Sequence, residues 1–152
     1  MRKRTRAREF ALQILYDIDI TQTEVGEVLE DFWREKSDLE LSKDEKQMIE
    51  MEKRDPEVRS YCESLVRGTV GHLKRLDELI ERFAEHWDMK RMAYVDRNIL
   101  RLSAYEMLYC EEIPVKVAIN EAVELAKRYG EEDSSKFVNG ILDKIAKTEC
   151  KK

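Results

Sequence analysis

The stretch from Ile113 to Ile145 most limits how this chain can fold. Apolar residues recur at Val115, Ala118, Ile119, Ala122, Val123, Ala126 and Tyr129, the spacing of one helix face. Pro114 suits the first turn, where its missing N–H would have had no partner. Gly130 stands where a left-handed residue commonly ends a helix. The acidic turn Glu131-Glu132-Asp133 follows, and Asp133 or Ser134 can cap a second helix. Phe137, Val138, Ile141, Leu142 and Ile145 form the inward face of that helix.

Two features of this pair are unusual. Asn139-Gly140 interrupts a helix interior, where Gly costs on the order of 1 kcal/mol relative to Ala. Lys136 and Phe137 stand at a helix start beside an acidic turn. Two readings stay open. In one, Gly140 lets two helices approach and Phe137 is core. In the other, Phe137 is a ring available to stack on a base.

The rest of the chain repeats the helical period. A first helix is expected from Thr5 to about Asp19, with Ala7, Phe10, Ala11, Ile14, Leu15 and Ile18 buried. Tyr16 falls near its end, partly exposed. A second helix runs from about Glu24 to Arg34, with Thr21 and Glu24 at capping-box spacing. Residues 35–55 are strongly charged, with sparse apolar positions such as Leu39, Met48 and Met51. They read as a mobile connection holding a short solvent-facing helix. Pro56 opens a third helix, and Gly68 and Gly71 predict a break near Gly71. A fourth continues through Leu73, Leu76, Ile80, Phe83 and Trp87. A fifth, from about Ala93 to Tyr109, is apolar nearly all round and is therefore central. No strand-period alternation occurs, so the expectation is an all-α domain of about seven helices.

Composition narrows the function classes. With 152 residues and 42% hydrophobic content, one domain with a real core is expected. No apolar run is long enough to span a bilayer. The charged N-terminus has no apolar h-region to make it a signal peptide, which points to the cytoplasm. Cys62, Cys110 and Cys150 are an odd set without paired spacing, so no disulfide framework is expected. With His72 and His86 they offer no zinc-ligand spacing, and neither metal nor cofactor is expected.

The net charge of −5 hides an asymmetry. Residues 1–10 hold Arg2, Lys3, Arg4, Arg6 and Arg8 against Glu9 alone, a local +4, which leaves −9 on the remainder. Cations at a helix N-terminus oppose the macrodipole, so either a polyanion neutralises them or they form a solvated tail.

Three functions can be weighed. Catalysis is disfavoured, since no nucleophile elbow, phosphate loop or metal spacing is present. A basic arm with an aromatic stacker suits single-stranded RNA better than duplex DNA. In that reading Arg2, Lys3, Arg4, Arg6 and Arg8 meet phosphates. Phe137 then stacks, with Lys136 and Asn139 beside it. An acidic body also suits a basic protein partner, with Tyr16, Asp96 and Asp133 on that face.

Three segments resemble the transcription antitermination factor family NusB. They are "RTRAREFALQILYDID", "DRNILRLSAYEMLY" and "IPVKVAINEAVELAKRYGEEDSSKFVNGILDKIAK". The resemblance covers nearly the whole chain and is weakest between about Arg34 and Pro56. It implies a single RNA-binding domain over 1–152, with helical subdomains of about 1–70 and 71–148 packed together. It also implies binding of boxA single-stranded RNA together with NusE, a ribosomal protein. Other Nus factors and RNA polymerase are engaged indirectly, to promote read-through in ribosomal RNA operons. The basic start, Lys136, Phe137 and Asn139 match the family's RNA-binding words. Tyr16, Asp96 and Asp133 match its partner-binding side, although Asp96 is the shorter acid where some relatives have Glu. Some members self-associate through the RNA-binding side, so a homodimer is a further implication. The same helical domain precedes a methyltransferase in certain RNA-modifying enzymes. The end of this chain at Lys152 favours the free-standing factor.

Overall fold

The computed structural model describes residues 2–35, 41–85 and 87–150. Among these residues all regular structure is helical. The elements are α1 (Lys3–Thr21), α2 (Val25–Arg34), α3 (Lys43–Arg54), α4 (Pro56–Gly71), α5 (Leu73–Phe83), α6 (Tyr94–Tyr109), α7 (Val115–Tyr129) and α8 (Ser134–Glu149). The eighth, beyond the expected seven, is α3. It is the short solvent-facing helix of the charged segment, and none of its 12 residues is buried. Leu39 and His86 lie outside the described residues. No described helix is long and apolar enough to cross a membrane. The chain forms two compact units, Met1–Arg67 and Gly68–Lys152, and the division falls within α4.

In the first unit, α1 buries Ala7, Phe10, Ala11, Ile14 and Leu15, as its period predicts. Fully burying each large side chain contributes about 1.5–3 kcal/mol. Phe10 meets Phe32 of α2 edge-on at 5.3 Å, and Trp33 stands at 4.9 Å from Phe32. Gln22 ends α1 in the left-handed region, with φ 57. The expected capping pair is not formed. Thr21 Oγ1 donates back to the Asp17 carbonyl, and Glu24 itself caps α2 by accepting the Glu27 N–H. Lys53 of α3 closes the other end of α2, because its ammonium donates to the carbonyls of Phe32 and Glu35. That placement satisfies carbonyls that the helix leaves without partners. Burial holds the Lys53 pKa below its ordinary value. Cys62 of α4 is fully buried, and burial pushes its thiol pKa far up, as befits an inert core residue.

In the second unit α6 is the central helix. Ile99, Leu100, Leu102, Ala104 and Met107 are buried, and so are Asn98, Arg101, Ser103 and Glu106. Helix α6 packs against α5, α7 and α8, and α7 lies on α8. The charge that this burial encloses is paired. Arg101 grips Asp77 of α5 with Nε at 2.7 Å and Nη2 at 2.9 Å, and Nη1 donates to Asn98. Such a two-pronged fork is the strong form of an ion pair.

Three glycines reveal what spacing alone does not. Gly68 is required by contact, since a Cβ there would fall 2.0 Å from Tyr105 Cζ. The expected left-handed conformation at Gly130 is not adopted: its φ is −94 and its ψ −174. Glycine serves there because Ser134 crowds in, with Cβ and Oγ 2.6 Å from where a Cβ would stand. Gly140 is not a helix-approach glycine, since nothing lies within 4 Å of its Cβ position.

Candidate nucleic-acid interface

The basic start divides into exposed and engaged cations. Arg2 and Arg4 are exposed. Lys3 is exposed but salt-bridged, with Nζ 3.1 Å from Asp55 and 3.6 Å from Glu57. The hydrogen bond to Asp55 raises the Lys3 pKa, and the same bond lowers that of Asp55. Arg6 Nε donates to Glu52 Oε2 at 2.9 Å, and its Nη1 lies 3.4 Å from Glu9. Arg8 departs furthest from the expectation of an open phosphate contact, being 3% exposed. It belongs to the buried stripe, four residues before Leu12 and one after Ala7. The guanidinium groups of Arg4 and Arg8 lie 4.7 and 5.7 Å from the centre of the Tyr61 ring, a favourable arrangement of cation and π face. Tyr61 is half-buried, and with Lys3, Arg4, Pro56, Glu57, Ser60 and Ser64 it lines an open groove of about 470 Å³. Tyr16 is half-buried near the end of α1, as expected.

The second unit presents a groove of about 480 Å³. Phe137, Trp87 and Met92 form its apolar lining, with Asp96, Glu131, Glu132, Asp133 and Arg91 around them. Phe137 is half-buried and meets Trp87 edge-on at 6.1 Å. Trp87 is not part of the helical stripe, because α5 ends at Phe83, and it is 48% exposed. Its i+4 spacing from Phe83 disguised it in the sequence as one more core position. The two expected faces are therefore not separate here, since Phe137 shares one groove with Asp96 and Asp133.

Helix geometry also splits the expected cluster on α8. Lys136 and Asn139 are three apart and share an exposed strip with Gly140. Phe137 and Asn139 are two apart, so they stand about 160° from one another around the axis at about 100° per residue. One base cannot be stacked on Phe137 and held edge-on by Asn139. The strip and the groove are adjoining sites.

The acidic turn is tied down by Ser134, not by a capping aspartate. Ser134 Oγ accepts the Glu131 N–H at 2.8 Å, and Asp133 makes no side-chain cap. Asp96 is half-buried, and its Oδ1 is buried with no hydrogen-bond partner. Burial raises its pKa, the hydrogen bond with Ser134 opposes the rise, and the charge of Glu131 adds to it. An incompletely satisfied carboxylate in an open groove suits a cationic group or a donor from outside.

The helices and grooves of the described residues define a class of all-helical proteins. It includes NusB of T. maritima, to which this chain is similar with a TM-score of 0.80 and 36% identity, over 97% of this chain and 92% of that one. The chain belongs to the NusB family, whose family model matches residues 5–147. It is 46% identical to the transcription antitermination protein NusB of Anaeromyxobacter sp. (strain Fw109-5), over 95% of this chain and 90% of the relative. It is 44% identical to the protein of that name from Bacillus subtilis (strain 168), over 94% of each. A further similar structure, at 30% identity and a TM-score of 0.77, covers 97% of this chain and 98% of its own. It is of the antitermination factors NusB and NusE in complex with dsRNA.

Proposed function

We propose that this chain is a transcription antitermination factor. It binds boxA single-stranded RNA together with NusE and promotes read-through by RNA polymerase in ribosomal RNA operons. The family match over residues 5–147, with relatives named for antitermination, carries the reading. A relative in complex with both NusE and dsRNA supports NusE and RNA as the partners. The chain works without catalysis, in the cytoplasm, and its two units serve as one RNA-binding domain.

Arg2 and Arg4 are the first phosphate contacts. Lys3 and Arg6 join when released from their acids, and Arg8 holds Tyr61 beneath Arg4. On α8, Phe137 stacks on a base, and Lys136 and Asn139 take the neighbouring phosphate and base edge. Tyr16, Asp96 and Asp133 contact NusE. The test is titration of a boxA single strand, a scrambled strand and a duplex of the same sequence, across salt and with or without NusE. Preference for the boxA strand that sharpens with NusE is expected. Binding to NusE with no preference among the RNAs would leave an adaptor for a basic protein and sink the proposal.

A further inference from the structure

Helix α3 buries none of its own residues, yet it and the residue that follows it touch the basic start of α1 at two points. Glu52, in the last turn of α3, holds Arg6 at 2.9 Å, and Asp55, the residue after the helix, holds Lys3 at 3.1 Å. A carboxylate presents to a guanidinium or an ammonium the same anionic oxygens that a phosphate would present. Both pairs are placed to be given up. Lys3 is half exposed, so solvent and salt weaken its pair. Glu52 is held on one side only, since its Oε1 is buried without a hydrogen-bond partner. Returning Glu52 to water restores the hydration that this oxygen lacks, which offsets part of the lost ion pair.

We propose that Glu52 and Asp55 are affinity-setting residues, internal carboxylates that occupy Arg6 and Lys3 until a chain of phosphates displaces both. The inference rests on the reading of the arm as a phosphate contact. Displacement subtracts a similar free energy from every RNA. A complex held by the arm alone then falls below useful affinity, while one with further contacts survives. The cover also alters counterion release. Each freed carboxylate takes up cations as the phosphate sheds them, so net release and the salt slope are smaller than an arm of this charge would give.

The test compares Glu52→Gln, Asp55→Asn and the double substitution with the unaltered chain. Both changes keep the side-chain shape, and Asn at 55 can still accept the Glu57 N–H as Asp55 does at 2.9 Å. Asp44→Asn is the control. It removes one charge, as each single substitution does, from the first turn of α3, about 12 Å along the helix from Glu52 at 1.5 Å per residue. The probes are a scrambled single-stranded RNA, inorganic polyphosphate and a boxA strand. The double substitution is expected to tighten all three by about fivefold at low salt, the scale of two weak ion pairs, and to steepen the salt slope. Asp44→Asn should do neither. Weaker binding would mean the carboxylates position the arm, and unchanged binding that they are irrelevant to it. Equal tightening by Asp44→Asn would mean that only net charge matters. Each overturns the proposal. Tightening on polyphosphate with no boxA preference in any variant would leave the cover standing and remove the antitermination reading instead.

Discussion

The N-terminus of α1 and the start of α8 carry similar residue types to opposite physical ends. Both bring cations and an aromatic ring to a helix start. At α1 the ring, Tyr61, lies under Arg4 and Arg8, and Lys3 and Arg6 are held by acids of the chain's own making. At α8 the ring, Phe137, faces an open groove beside an exposed Trp87, and Lys136 is exposed. A run of cations is therefore not a measure of available charge. Lys3 and Arg6 would have to leave their acids before meeting any other anion, whereas Arg2 and Arg4 are exposed and the aromatic groove is already formed.

The largest expected effect tests whether the groove is rigid because α6 is. Asp77→Ala would remove both prongs of the ion pair that holds Arg101 inside the second unit. A buried charge stripped of its partner typically costs about 3–5 kcal/mol. Because Asp77 is partly exposed, about 2–4 kcal/mol is expected in denaturant unfolding. Glu57→Gln, at an exposed acid beside the arm, should leave the unfolding midpoint unchanged. A comparable loss at both positions would erase the contrast between a built groove and a loosely held arm.

Next in size is Phe137→Ala. A base–aromatic stack is worth about 1–3 kcal/mol, so RNA binding should weaken by that amount with melting nearly unchanged. A stability loss of about 3–5 kcal/mol, the usual result of emptying a core aromatic site, would return Phe137 to the core. A smaller effect separates the arm's own cations. Arg4→Gln should flatten the dependence of log K on log salt by about 0.7, the worth of one phosphate contact on a single strand. Arg6→Gln should flatten it by less, since Arg6 exchanges one anion for another. Equal changes would mean that the Glu52 pair is absent in solution.

What could be read in advance follows from what each signal measures. Periodicity reports which side of a helix is buried, so the faces of α6 and α8 and most of that of α1 were legible, whereas Ile18 is only half-buried and on α7 Tyr129 is exposed and Leu125 is buried in its stead. Periodicity does not report what buries a face. Trp87 continued the α5 period past the end of that helix, and Arg8 looked like its charged neighbours although it lies on the buried stripe. The site residues were nameable as types, but their state was not, because Glu52 and Asp55 reach the arm from 46 and 52 residues along the chain. The glycines show the same limit. A helix-ending glycine at 130 was evident, while its cause, the crowding of Ser134, is a contact made only in the folded chain.

The smallest effect contrasts two aspartates by the sign of their pH dependence. At Asp55 the bond from Lys3 leads in lowering the pKa below the ordinary 3.8. Its contribution to stability is present above pH 3.8 and lost as pH falls through the lower folded value. At Asp96 burial raises the pKa above 3.8. The unfolded chain then sheds its proton first, so stability is lost as pH rises from 3.8 through the raised value and stays reduced at neutrality. Asp96 also stands in the first turn of α6, where a negative charge gains about 0.3–1 kcal/mol from the helix dipole. The two effects oppose each other, and burial is the largest cause of the raised pKa. Asp96→Asn should therefore be more stable than the unaltered chain at pH 7, by under about 1 kcal/mol for a half-exposed group, and equal to it at pH 3. Asp55→Asn should be less stable at pH 7 and converge at low pH. Denaturant midpoints at pH 3, 5 and 7 decide the matter. If Asp96→Asn weakens the fold at pH 7, the dipole outweighs burial and Asp96 is a structural charge. If it strengthens the fold while weakening the hold on NusE, the aspartate is kept in the groove at a cost to stability, for its partner.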